Sequence, residues 1–140
     1  MREINKIIVH CSASDNPAHD NIDTIRQWHV ERGFHGIGYH YFIDSQGKVF
    51  DGRPLEDKGA HCEGQNFDSI GICLHGEHAF NDRQFKALYR IVNNLCDAFS
   101  LTLKDVFSHN HFNNKKTCPN FAVGAILERI NEENRKETII

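Results

Sequence analysis

No run of this sequence is long and apolar enough to span a bilayer, which excludes a membrane-spanning helix. Positive charge is also scarce. Sixteen Lys and Arg stand against 19 Asp and Glu, a formal net charge of −3, and no arginine-rich block occurs. Nucleic acid is therefore not an expected partner. The opening MREINKIIVHCSAS has a charged start but too short an apolar run for a signal peptide, so synthesis in the cytoplasm is expected. Five cysteines (Cys11, Cys62, Cys73, Cys96 and Cys118) are an odd number at irregular spacing, which is no disulfide framework. Internal repeats, low-complexity segments and linkers are missing too. The 140 residues read as one domain, 1–140, large enough to bury a core without staples.

What remains is an alternation of strands and helices. Lys6–His10 is a β-branched apolar run without polar alternation, the pattern of a strand buried on both faces. Asp20 or Asn21 can cap a helix carrying Ile22, Ile25 and Trp28, and Gly33 stops it. Tyr39–Asp44 and Lys48–Phe50 read as a hairpin around Ser-Gln-Gly. Ser69–Gly76 is a second buried strand. A capping box of Asn81 and Gln84 opens a long helix with Phe85, Leu88, Ile91, Val92, Leu95 and Phe99 on one face. A short strand, Val106–His109, and a last helix holding Phe121, Ile126, Leu127 and Ile130 complete the pattern, and the charged tail from about Asn131 is expected to fray. The fold class is α/β: a single mixed, mainly parallel β-sheet flanked by helices.

Ten histidines are a surplus for this length. His10 and His109 each end a strand, and in open α/β sheets functional groups gather at the carboxyl ends of strands. The short segment SHNHFNNKKTCPNF returns Cys118 toward the same edge. Two imidazoles and a thiolate suit zinc with one open position, yet spacing alone leaves a plain surface loop equally open. His111 rivals His109, since strand alternation would point both the same way. Cys11 rivals His10, although alternation sends its side chain to the other face. A cysteine hydrolase using Cys11 or Cys118 with a histidine base is a further reading.

Four stretches in one order carry a resemblance: IIVHCSAS, IRQWHVERGFHGIGYHYFIDSQGKVFDGRP, GAHCEGQNFDSIGICLHG and FSHNHFNNKKTCPNF. They resemble the zinc-dependent N-acetylmuramoyl-L-alanine amidases of the phage-lysozyme type, whose fold is shared with the peptidoglycan recognition proteins. The resemblance covers nearly all of the chain up to Phe121. It implies one amidase catalytic domain that cuts the amide between N-acetylmuramic acid and L-alanine of bacterial peptidoglycan. By position, the metal ligands it implies are His10, His109 and Cys118, with Zn2+ as cofactor. Tyr39 of Gly-Tyr-His and Lys116, two residues before Cys118, are the implied catalytic groups, stabilising charge on the amide oxygen. His61 of Gly-Ala-His, with Asn66 near it, is the implied substrate-binding pair. The expected partner is peptidoglycan, met at the wall after release or export, and the chain is expected to act as a monomer. The same fold also serves as a non-catalytic peptidoglycan-binding module, the alternative carried forward; an intact His10, His109 and Cys118 set speaks for the enzyme.

Overall fold

The structure, a computed structural model, describes residues 1–139. Nine strands and α-helices follow one another among them, besides two short 3-10 turns: β1 (Lys6–Cys11), α1 (Ile22–Glu31), β2 (Tyr41–Ile43), β3 (Val49–Asp51), β4 (Ser69–Leu74), α2 (Asp82–Phe99), β5 (Val106–Ser108), α3 (His109–Phe112) and α4 (Val123–Ile139). The sheet order is β3-β2-β4-β1-β5. β1 runs parallel to both β4 and β5, β2 runs parallel to β4, and only the β2–β3 hairpin is antiparallel. β2, β4 and β1 are the inner strands, and β1 and β4 are the long ones. Their continuous apolar runs are what a strand covered on both faces requires.

Alternation along the strands divides the core into two layers. Ile7 and Val9 of β1, and Ile70, Ile72 and Leu74 of β4, meet α2 and α4 through Leu88, Val92, Leu95, Leu127 and Ile130. Phe42 of β2 and Cys73 of β4 meet Ile25 of α1 on the opposite face. Phe42 and Leu88 are wholly enclosed, and burying one such side chain contributes about 1.5–3 kcal/mol. Helix starts follow local chemistry. Asn21 Oδ1 accepts from Thr24 N at 2.8 Å, and Asn81 and Gln84 form a reciprocal capping box; each cap contributes on the order of 1 kcal/mol. Gly33, at φ +94°, turns the chain out of α1.

Three expectations change. The strand foreseen over Tyr39–Asp44 is shorter, Tyr41–Ile43. Tyr39 precedes it, its carbonyl accepting from Arg53 N at 2.9 Å. The strand foreseen to end on His109 ends on Ser108, and His109 instead begins the single turn α3. That turn is closed from outside: Asn110 N donates to Cys118 O at 3.0 Å. The tail foreseen to fray continues as regular helix to Ile139. Tyr89 of α2 holds it, donating its hydroxyl to Asn131 Oδ1 at 2.7 Å.

Register positions the functional edge. His10 lies opposite Cys73 of β4, and Val9 opposite Ser108 of β5. His109, one residue beyond Ser108, therefore emerges level with His10 at the carboxyl end of the inner strands. His10 alternates with Val9 and points to the α1 face.

Candidate metal centre and groove

The first group at this edge is His10, 1% exposed at the end of a buried strand. His109 is carried to it by α3, with the two ring centroids 4.4 Å apart. Cys118 arrives from a loop pinned at both ends, by Lys116 N to Asn113 O and Asn110 N to Cys118 O, each 3.0 Å. One donor atom from each of His10, His109 and Cys118 lies within 4.8 Å of the others, the only such cluster of metal-ligating side chains among the described residues. His111 is outside it. Its ring stacks on Phe107 at 5.0 Å, because α3 is a helical turn and strand alternation does not apply. Cys11, foreseen on the other face, borders the same cavity and shares a thiol hydrogen bond with Cys118.

The electrostatics fit a soft or borderline cation. Burial, then the neighbouring His61 and His109, holds His10 neutral, its pKa well below the usual imidazole range. Burial, then the ammonium of Lys116, lowers His109 as well. Both imidazoles thus offer lone pairs at neutral pH. The hydrogen bond with Cys11, reinforced by burial, pushes the Cys118 thiol up. A buried thiolate needs a compensating positive charge. Two neutral imidazoles, one thiol and no other cation within the cluster therefore fit zinc by donor type and by spacing.

Two of the three donors, His109 and Cys118, line a cavity of about 470 Å³, with the enclosed His10 packed behind them. A larger cleft of about 650 Å³, bordered by Arg26, His35, Arg53 and Asp57, holds none of the three donors, so chemistry assigns the site to the smaller one. Tyr39 borders the cavity with its ring 5.0 Å from that of His10. Burial first, then the nearby thiols of Cys73 and Cys118, raises its phenol well above its ordinary range, so the hydroxyl stays a donor. Lys116 reaches the cavity although exposed, whereas the adjacent Lys115 does not border it.

His61 and Asn66 also border the cavity, but their polar atoms face inward. Asn66 Oδ1 accepts from the backbone of His61 and Cys62 at 2.9 and 3.0 Å. His61 Nδ1 lies 2.8 Å from His10 Nε2, and His61 Nε2 lies 3.1 Å from Ser69 Oγ. Burial lowers the His61 pKa to about 3. This pairing with His10 is not visible in the spacing of the sequence. Nor is the role of Arg2, which ties the N-terminus to the groove loop by donating from Nε to Leu55 O at 2.8 Å and from Nη1 to Phe67 O at 3.1 Å. His29 of α1 forms the far wall, its Nδ1 accepting from Gly38 N at 2.7 Å.

Known proteins share the sequence pattern and the fold of this chain. The family model described as N-acetylmuramoyl-L-alanine amidase matches residues 1–121. The endolysin of Enterobacteria phage K11 is 34% identical over 128 residues, 86% of this chain and 83% of that protein. The solved structure of the N-acetylmuramoyl-L-alanine amidase LysC from Clostridium intestinale URNW superposes with a TM-score of 0.82 at 27% identity, covering 93% of this chain and 87% of that one. Drosophila PGRP-LB shares the fold, with a TM-score of 0.73 at 21% identity over 93% of this chain and 81% of that one.

Proposed function

Because the chain belongs to the N-acetylmuramoyl-L-alanine amidase family and hydrolyses a peptidoglycan amide, we propose that it does so with zinc held by His10, His109 and Cys118. The convergence of those three donors, their ligand atoms within 4.8 Å of one another, carries the reading. When bound there, zinc supplies Lewis acidity that makes hydroxide available near neutral pH. The chain's own groups do the rest. The scissile bond joins the lactyl group of N-acetylmuramic acid to L-alanine, and its carbonyl oxygen gains negative charge as the carbon becomes tetrahedral. The Lys116 ammonium, bordering the cavity, offsets that charge. The Tyr39 hydroxyl, held protonated by burial, donates to the same oxygen. Both act on charge that develops only in the transition state, where removal of one donor typically costs a hundredfold or more. Proton transfer to the departing L-alanine amine is a second role for Tyr39 in this reading.

His61 and Asn66 shape the wall that substrate meets, while their polar atoms hold the loop. All named groups come from one chain, so a monomer suffices, acting at the cell wall once released.

Digestion of purified peptidoglycan, with and without a chelator, followed by mass analysis of the fragments, tests this reading. Free stem peptides with an L-alanine amino terminus, lost on chelation and restored by zinc, are expected. Cleavage between sugars would refute the bond assignment. Chelator-resistant release of stem peptides would return Cys118 to the role of nucleophile.

A further inference from the structure

His10 has two ring nitrogens, and which one faces a metal is set by the partner of the other. That partner is His61, whose Nδ1 lies 2.8 Å from His10 Nε2. Two neutral imidazoles in contact leave the direction of the hydrogen bond open. The next links close it. Ser69 Oγ is 2.6 Å from Gln65 O, and a carbonyl only accepts. Two oxygens at that distance with no proton between them would repel, so the single Ser69 hydroxyl proton is committed to Gln65. Ser69 Oγ can then only accept from His61, whose Nε2 lies 3.1 Å away. His61 therefore carries its proton on Nε2, leaving Nδ1 as the acceptor, and His10 donates from Nε2.

The ring of His61 has no room to escape this arrangement. A Cβ on Gly71 would meet His61 Cγ at 2.6 Å, and one on Gly59 would meet His61 Cδ2 at 2.4 Å. The ring occupies the space that two side chains would fill. Asn66 Oδ1 clamps the backbone of the same residue at 2.9 Å. Ser69 is fully enclosed, so water does not compete for the chain of bonds.

We propose that Gln65, Ser69 and His61 form a tautomer lock that keeps the proton of His10 on Nε2 and presents Nδ1 to the metal. His61 is thus a positioning residue for the metal ligand, beyond its place in the groove wall. This inference rests on the zinc reading for its consequence, but the tautomer itself exists without metal.

The test has two arms. Long-range proton–nitrogen correlation spectra of the metal-free, nitrogen-15-labelled protein report the His10 tautomer directly, and the Nε2–H form is expected. Zinc affinity, by competition with a chromophoric chelator, is then compared among variants. His61→Phe keeps a ring of similar size but cannot accept, and is expected to weaken zinc by about 10–100-fold. His61→Gln fills the space less well but supplies a carbonyl acceptor, and is expected to bind zinc more tightly than His61→Phe. A packing role would rank the two the other way. Ser69→Ala frees the His61 tautomer and is expected to give mixed His10 tautomers with weaker zinc binding. His10 protonated on Nδ1 in the metal-free wild type, or His61→Phe binding zinc as tightly as His61→Gln, overturns the lock. Wild type with the Nε2–H tautomer but no zinc affinity would sustain the lock and sink the metal reading.

Discussion

The imidazoles of His10 and His109 pack 4.4 Å apart, centroid to centroid, although one is the penultimate residue of the first strand and the other opens a helical turn after the last. Only the folded sheet brings them together, so metal content reports on native geometry. The purified protein is expected to carry about one zinc per chain, the stoichiometry of a single three-ligand site. His10→Ala, His109→Ala and Cys118→Ser should each lose it, while His111→Ala retains it. Elemental analysis after gel filtration is the check; metal loss in His111→Ala with retention in His109→Ala would reverse the assignment.

Adjacent lysines should behave differently. Lys116 borders the cavity and Lys115 does not. Lys116→Ala should keep zinc and fold yet lose on the order of a hundredfold in turnover, with Tyr39→Phe resembling it. Lys115→Ala should stay within about twofold of wild type, as exposed charges usually do. Turnover and fragment affinity measured on the same preparations decide. Equal losses in the two lysine variants would show that general positive charge, and not the position of Lys116, matters.

Stability should fall in mild acid even without metal. Burial lowers His29 and His40 from 6.5 to about 4 in the fold. In the unfolded chain both titrate near 6.5, so between those values the unfolded state binds more protons and stability rises with pH. The contribution is complete above about pH 6.5 and is lost as pH falls through about 4. For the enclosed His40 it is on the order of 3 kcal/mol at most. Urea midpoints of chelator-stripped protein should therefore decrease from pH 7 to pH 4.5. A flat profile would mean that these rings are protonated in the fold.

Zinc should stabilise the chain as a clip between its two ends. A ligand present at a thousandfold its dissociation constant adds about 4 kcal/mol to a state that binds it alone. Chelation should lower the melting temperature of wild type and leave Cys118→Ser unmoved. Calorimetry with and without chelator reads both, and an equal shift in the two proteins would place the metal elsewhere.

The parts of this molecule legible in the sequence are those set by local pattern. Ile7–Val9 and Ile70–Leu74 announce inner strands through unbroken apolar runs, and Asn81 with Gln84 announces its helix through side chains three apart. His10 and Cys118 are legible as candidates because each sits at the edge of such a signal. His109 is misplaced by one element, since α3 is a single turn whose first amides find a partner from outside it, Asn110 N donating to Cys118 O, a contact its own residues do not encode. The contact of His61 with His10 is likewise absent from any spacing rule, as it depends on β1 and β4 lying side by side. Arg2 carries no signal in the sequence, because the carbonyls of Leu55 and Phe67 converge on it only in the fold.

Gly71 widens the sense in which a residue belongs to a site. It has no side chain and no reactive group, yet the imidazole of His61 stands within 2.6 Å of where its first carbon would be. A single added methyl group there would be felt at the His10, His109 and Cys118 cluster through His61, far away in sequence. The tolerance of this enzyme to mutation is therefore bounded by volume as well as by chemistry. An inventory of reactive groups would omit one of the positions least free to vary.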